Sequence, residues 1–387
     1  MSKTFRADFI PHGAYFFGNE KTFSFGKSGR SFISSEQTPA QSTLLGALRY
    51  ALLYDLEHDG KRLFKADRNY QLNDEEQEAV NALIGTTAFN IDSPTEQDFG
   101  AIERLSPLFI YDIVRAKALV PTPKDHKIPG VDEFKDYPDS KDSAATRFFY
   151  APFKPSDFVS NGFEFSVDGC DSGVQRSYCN AFSVKYGLAN SYMYVDTGLQ
   201  VPNDRLFQSV QRVGIAKKKY KSAFFKRACY ELQNGFAFSV YVTLRDDVLP
   251  PDNAVVFLGQ GKTAFSLRFT EETDNIANSI EQLIYPGTVY LLGDSSLSNE
   301  VYRYCSFAAT GSRDHRTYSV TLSGNVSKGA TVWHLVSAGS IYKSNNAEKL
   351  KMLIEDGAFD PSCSRPCMKN LKKIGMNIAI IGKRKEN

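Results

Sequence analysis

From Phe236 to Leu244 every second residue is apolar: Phe236, Phe238, Val240, Val242 and Leu244, directly after Asn234-Gly235. A period of two is the mark of a β-strand, because successive side chains point to opposite faces of a sheet. The Asn-Gly pair suits a tight turn with positive φ, so Phe224–Leu232 is the expected partner strand of a hairpin. Any fold open to this chain therefore contains a sheet. The same alternation opens the chain, where Phe5, Ala7 and Phe9 interleave with Arg6 and Asp8 and predict a half-buried strand. A helix follows, with Leu45, Leu48, Leu52 and Leu56 on one face and Leu44 and Ala51 beside them. Thr38 is its expected N-cap, with Pro39 at the first helical position and Gln41 completing a capping box. Strand, glycine-bearing connection (Gly13, Gly18, Gly26, Gly29) and helix together read as the start of a βαβ-type unit.

The remaining pattern is mixed. A second helix is expected from Asn73 to Leu83, and short strands at Leu105–Ile110 and Ala118–Val120, ending in Pro121-Thr122-Pro123. Further strands are expected at 254–258, 263–269, 288–292, 316–322 and 331–336, with helices near 272–284 and 346–354 and a last strand at Met376–Ile381. The stretch 124–165 is charged, Pro-bearing and loop-like. At 387 residues two domains are expected, 1–165 and 166–387.

Charge narrows the partners. The formal net charge is only +2, but its distribution is uneven. Arg205, Arg212, Lys217, Lys218, Lys219, Lys221, Lys226 and Arg227 fall between 205 and 230 with no Asp or Glu among them. A second acid-free stretch holds Arg365, Lys369, Lys372, Lys373, Lys383, Arg384 and Lys385. Acids collect instead at Asp74-Glu75-Glu76 and from Asp92 to Glu103. Basic zones on a near-neutral chain suit a surface that follows phosphates. The aromatic share, 13% with 29 Phe and 20 Tyr, suits sheet packing and also base stacking.

Catalytic and metal signatures are weak. Gly259-Gln-Gly-Lys-Thr263 lacks the glycine a phosphate loop requires at 256, where Val256 stands. Cys363 and Cys367 resemble half of a zinc site, with no second pair at matching spacing, so free thiols and no metal are expected. The five His residues (12, 58, 126, 315, 334) form no HExxH pattern. Six Cys without an apolar N-terminal leader read as reduced thiols in a cytoplasmic protein, and no apolar run approaches the roughly 20 residues of a membrane span. No cofactor is implied.

One family likeness covers nearly the whole chain. Thr38-Pro-Ala-Gln-Ser-Thr-Leu-Leu-Gly-Ala-Leu-Arg49 resembles the helix start of the RAMP subunits of CRISPR type III-B (Cmr) effectors, specifically the third Cmr subunit, of the Cas five-like group. Phe16–Lys21, Leu119–Pro123, Gln211–Ile215 and Ala338–Tyr342 resemble further landmarks of that family in the same order. Gly18-Asn19-Glu20 departs from the family's charged turn, and the final glycine-rich loop is reduced to Lys372–Asn377. The resemblance implies an α+β fold of two ferredoxin-like (RRM-like, βαββαβ) halves with an inserted β-hairpin. It also implies a non-catalytic subunit that binds the 5′ handle of the guide RNA, docks the large polymerase-like subunit and abuts a backbone RAMP subunit.

Candidate RNA contacts on that reading are Gly13, Gly18, Lys21, Ser42, Arg49, Arg212, Lys217, Lys218, Lys219, Lys221, Lys372, Lys373, Gly375 and Asn377. Single-stranded RNA recognition combines backbone amides, cations and flat aromatic faces, and glycine permits close approach. Gly13 or Gly18 is expected either at positive φ or where the backbone approaches RNA closely. The alternative is a repeat-processing endoribonuclease, for which His12 with Lys21 or Tyr15 is the one plausible set. A purely structural bridge is the third reading.

Overall fold

The computed structural model describes residues 2–18, 31–54, 56–58, 61–62, 72–124, 191–218, 221–259, 261–284, 286–297, 301, 304, 307–320, 326–356 and 368–383. In chain order its elements begin with β1 (Lys3–Pro11), β2 (Ser31–Ser34), α1 (Gln41–Leu52), β3 (Glu57–His58), β4 (Lys61–Arg62) and α2 (Asp74–Ile84). Next come β5 (Ile102–Leu105), β6 (Phe109–Asp112), β7 (Lys117–Pro121), β8 (Ser191–Tyr194), β9 (Gln200–Pro202), β10 (Phe207–Lys218), β11 (Lys221–Leu232) and β12 (Phe236–Leu244). The last part holds β13 (Asn253–Leu258), β14 (Thr263–Glu271), α3 (Ile276–Ile280), β15 (Thr288–Leu291), β16 (Phe307–Ala309), β17 (Ser312–Val320) and β18 (Val326–Val336). It ends with β19 (Ile341–Lys343), α4 (Ala347–Asp356), α5 (Met368–Lys373) and β20 (Ala379–Ile381). The protein is a mixed α+β chain of antiparallel sheets with few helices, and no described helix is long and apolar enough to cross a membrane.

Two compact units result, and neither is one continuous stretch. The first comprises Met1–Ser106, Asp204–Thr273 and Asp314–Trp333; the second comprises Pro107–Asn203, Asp274–Arg313 and His334–Asn387. The expected boundary at 165/166 lies outside the described residues.

In the first unit β1 lies between β14 and β12, antiparallel to both, with β13 beyond β14 and β5 on the other edge of β12. Helix α1 buries Leu44, Leu45, Leu48, Ala51 and Leu52 and packs on β13. Phe9, Phe238 and Phe265, all fully buried, form the centre of its core. Three local expectations are corrected here. First, β1 is not half-exposed: Arg6 and Asp8 are buried as well, at 8% and 6% exposure. They are tolerated because Arg6 Nε donates to Asp8 at 3.0 Å, Ser239 donates to the same carboxylate at 2.6 Å, and Arg6 also pairs with Glu272. Second, Thr38 does not cap α1. The helix begins at Gln41 behind Ala40, with no side-chain cap, and the Gln41 amide instead donates to Ser106 O at 2.5 Å. Third, β11 and β12 do not pair as a hairpin around Asn234-Gly235. β12 joins β1 and β5, whereas β11 joins β10 and β2. Gly235 does take positive φ, 91°, but the turn it makes passes the chain from one sheet to another. Helix α2 is capped as its sequence predicts, Asn73 and Glu76 exchanging hydrogen bonds in a capping box.

In the second unit β15 lies between β19 and β20, antiparallel to both, and β16 pairs with the far side of β19. Helix α4 covers this sheet with Leu350, Leu353 and Ile354, which pack with Val289, Leu291 and Tyr342. A separate run of antiparallel pairs links β6 to β7, β7 to β8 and β8 to β9.

Candidate nucleic-acid interface

The acid-free stretch between 205 and 230 folds into one long ribbon. β10 and β11 pair residue for residue, from Phe207↔Leu232 to Lys218↔Lys221. Lys217 is the register partner of Ser222, and Lys219 with Tyr220 lies outside the described residues. β2 adds a third, parallel strand beside β11 from Phe225↔Ser31 to Ala228↔Ser34.

Register decides which cations meet. Residues directly opposite on an antiparallel pair share a face. Arg212 is opposite Arg227, so two guanidinium-bearing residues face each other across the ribbon. Arg212 is exposed and Arg227 half-buried, with its guanidinium carbon 5.2 Å from the centre of the Phe16 ring. Two residues nearer the base, the pair Val210↔Cys229 joins a small apolar cluster with Ala14 and Phe16. Burial pushes the Cys229 thiol up, and the positive charges of Arg212 and Arg227 partly offset that effect.

The described start of the glycine-rich stretch after β1 meets the ribbon base at Tyr15. Tyr15 N donates to Tyr230 O at 2.8 Å and Tyr230 N returns a bond to Tyr15 O at 3.1 Å. The Tyr15 ring is buried against Phe17, 4.8 Å away, and Phe238, 5.5 Å away, and its hydroxyl donates to Gln37 O at 2.8 Å. Tyr15 is thereby a core residue, which removes it from the endoribonuclease set. His12 is exposed and its Nε2 lies 2.7 Å from Ser266 Oγ. Gly13 has φ +148° and open space around it, whereas Gly18 has no positive φ. The strained glycine that sequence reasoning missed is Gly259, at φ +73°, where a Cβ would lie 2.4 Å from Phe16 O. Lys21 lies outside the described residues.

Other expected contacts sit elsewhere and are engaged there. Arg49 donates to the carbonyl oxygens of Thr87 and Asp98 and covers the Phe99 ring, and burial, against the opposing charge of Asp98, lowers it to about 10. Ser42 occupies the first turn of α1, half-buried. In the second unit Lys372 pairs with Asp356 at 3.0 Å and with Glu355 at 3.5 Å. Asn377 is fully buried at φ +52°, donates to Ser296 O and Ile354 O and accepts from Ser296 N. Neither the Asn377 amide nor the buried Gly375 is presented to a ligand, and Lys373 lies half-buried on α5. Arg49 and Asn377 are thus each held by intramolecular hydrogen bonds. Arg227 and Phe16 are not among the expected contacts; the β10–β11 register sets Arg227 opposite Arg212, and the Tyr15↔Tyr230 bridge brings Phe16 beside it. Cys363 and Cys367 lie outside the described residues, and among the described residues no group of three or more His, Cys, Asp or Glu could hold a metal.

Comparison with known proteins gives one family. The family described as CRISPR-associated protein (Cas_Cmr3) matches residues 10–383. No curated protein matches the sequence. Similar solved structures include a chain of the type III-B Cmr-beta complex bound to cognate target RNA, at 11% identity over 97% of this chain and 96% of that one, TM-score 0.46. The same complex bound to cognate target RNA and AMPPnP gives 10% identity over 92% and 90%, TM-score 0.44. A chain of the Csm1-Csm4 cassette in complex with AMPPNP gives 12% identity over 89% and 88%, TM-score 0.32.

Proposed function

The chain belongs to the Cmr3 family of CRISPR-associated proteins, and from that premise we propose that it is a non-catalytic subunit of a type III-B effector that binds the 5′ handle of the guide RNA. The observation that carries the reading is the β10–β11 ribbon, two 12-residue strands built from a sequence stretch with eight cations and no acid between 205 and 230. Lysines on such an arm act as point counter-charges to phosphates, and base pairing elsewhere reads the target sequence. The subunit works in the cytoplasm, docks the large polymerase-like subunit and abuts a backbone RAMP subunit. The acid-rich segment 74–104, set apart from the basic ribbon in sequence, is the surface offered to those protein partners.

The strand orders support two ferredoxin-like halves. In βαββαβ order the sheet reads fourth, first, third, second. In the first unit β14, β1, β12 and β5 lie in that order, with α1 between β1 and β5 in the chain. In the second, β20, β15, β19 and β16 do the same, with α4 between β19 and β20. In chain order a long ribbon follows the second strand of each set, β10–β11 between β5 and β12 and β17–β18 between β16 and β19.

Titration of handle RNA across a salt series tests the function. Each lost phosphate contact lowers the slope of log affinity against log salt by about 0.7 for a single strand. Changing Lys217, Lys218, Lys219 and Lys221 together to Ala should lower it by up to about 3, with thermal stability barely moved. An unchanged slope moves the RNA off this ribbon. Defined cleavage fragments from repeat RNA incubated with the purified protein would replace the binding role with the endoribonuclease one.

A further inference from the structure

We propose that the open face of β13 and β14 is a base-stacking site, with Phe257 under one nucleobase of the bound RNA strand and Lys262 and Arg268 on phosphates to either side. This rests on the RNA-binding reading above and places a contact on a different sheet from the ribbon.

The residues of this face follow from register. Along β13, Ala254, Val256 and Leu258 are buried on the side where α1 packs, and Asn253, Val255 and Phe257 lie on the other. Val255 and Phe257 are 43% and 58% exposed. Opposite residues of an antiparallel pair share a face, so Phe257 stands beside Ala264, Val255 beside Ser266 and Asn253 beside Arg268. Ile10 of β1 lies opposite Ser266 on its other side. His12 Nε2 is 2.7 Å from Ser266 Oγ, which brings the exposed imidazole to the same face. Ala264 is too small to cover a phenyl ring, so the flat side of Phe257 stays in water.

Proteins ordinarily blunt such an edge with charge or proline, and β13 has neither between Asn253 and Leu258. What surrounds the apolar patch is cationic. From Asn253 to Thr270 the chain carries no Asp or Glu, and its two charged residues are Lys262 and Arg268, both exposed. Six residues separate them, about 20 Å along the strand direction. Lys262 stands at φ +52°, a conformation that lysine disfavours. Its amide closes the turn on Gly259 O at 3.2 Å, and Gly259 is itself wedged against Phe16 O. Glycine or asparagine would suit that backbone better, and strain retained there points to a role for the ammonium group.

A single RNA strand matches this chemistry. A nucleobase offers a flat π-face to Phe257, and such stacking tolerates any base. Its strand supplies phosphates for the two cations. RRM domains stack bases on aromatic residues of their open sheet face. Here the two middle strands are closed on that face, where Arg6, Asp8, Ser239 and Tyr241 are all buried. A base is thereby confined to the β13–β14 side. A partner protein's strand added to the edge of β13 would satisfy the apolar residues but leave both cations without a role.

The test titrates the full chain with handle RNA across a salt series. Wild type is compared with Phe257→Ala, Phe257→Leu, Phe257→Trp, Lys262→Asn and Arg268→Gln, asparagine being chosen because it tolerates positive φ. Handle RNAs with one abasic position at a time form the second axis. Phe257→Ala should lose about tenfold to a hundredfold in affinity with the salt slope unchanged. Phe257→Leu should lose nearly as much although it keeps an apolar side chain, and Phe257→Trp should restore binding. Should Phe257→Ala fold poorly, the Leu and Trp pair carries the comparison. Lys262→Asn and Arg268→Gln should each lower the slope by about 0.7. One abasic position should weaken binding to wild type and leave Phe257→Ala unaffected. Full affinity in Phe257→Ala or Phe257→Leu would overturn the stacking site. Unaltered RNA affinity combined with weakened assembly on protein subunits would overturn it in favour of an added partner strand. Wild-type protein without salt-dependent handle binding removes the RNA reading itself, whereas normal binding that is indifferent to Phe257 removes the stacking site alone.

Discussion

Arg49 on α1 donates from Nη2 to the backbone carbonyl of Asp98 at 3.1 Å. With its second bond, to Thr87 O at 2.9 Å, and its position 5.2 Å from the Phe99 ring centre, it ties the segment 87–99 to the helix. That segment is closed at its ends by Gly85 and Gly100, at φ +78° and +65°, packed so tightly that a Cβ on Gly85 would lie 2.2 Å from Asp98 O. Arg49→Met should therefore lower stability by about 1–3 kcal/mol, the loss expected when carbonyl acceptors lose a charged donor. The salt slope of RNA binding should stay at the wild-type value. Thermal melts beside the RNA titration check both, and a slope reduced at full stability would return Arg49 to the RNA path.

The same tied segment carries the exposed acids Glu96 and Glu103 at or near its edge. Glu96→Lys or Glu103→Lys should weaken assembly with the large subunit and spare handle binding. Co-purification from a reconstituted complex reads the first and RNA titration the second; the reverse pattern rejects this face as a protein contact.

The glycines near Phe16 should separate by geometry. Gly259→Ala forces a Cβ against the Phe16 carbonyl at positive φ and should reduce stability by more than about 1 kcal/mol. Gly18→Ala meets nothing nearer than 3.8 Å at ordinary φ and should stay within about 0.5 kcal/mol of wild type. If Gly18 lies on the RNA, Gly18→Val should weaken handle binding more than it lowers the melting temperature. Equal loss of both marks an ordinary turn.

Asp112 gives a pH signature. Burial raises its pKa, but hydrogen bonds from Tyr194 and from Arg115, with the Arg115 charge, outweigh burial and hold the carboxyl below its usual 3.8. Burial and the bond to Asp112 push the Tyr194 phenol up to about 12, so it remains the donor at neutral pH. A depressed carboxyl contributes stability above the unfolded-state value and loses it as pH falls through the folded value. Chemical denaturation at stepped pH should therefore show wild type losing stability from about pH 4 downward. Asp112→Asn should flatten that fall; identical slopes would show that Asp112 does not set it.

Asn377 separates packing from RNA contact at the chain's last glycine-rich loop. Asn377→Gly keeps a backbone suited to φ +52° but leaves Ser296 N, Ser296 O and Ile354 O without this partner. It should lower stability by about 2–4 kcal/mol. Handle affinity, measured below the variant's melting range, should be unchanged, and a selective loss of affinity would place RNA here.

The sequence alone determined the local chemistry. Alternation over Phe236–Leu244 made a strand, the leucine row 44–52 made a helix, and Asn73 with Glu76 made a cap, because each depends on neighbours within a few residues. The acid-free run from 205 to 230 marked the basic arm, and the ordered short motifs marked the family. Tertiary structure decided everything that depends on partners distant in the chain. Whether β12 pairs with β11 or β1 is settled by competition for a central sheet position, and the Asn234-Gly235 turn carries no information about that contest. Arg49 and Asn377 looked available because residue type does not disclose burial, and the carbonyls they serve lie 23 to 81 residues away. Arg227 became half of a facing pair only through the register of β10 on β11, since sliding one strand by a single residue would send every side chain to the opposite face.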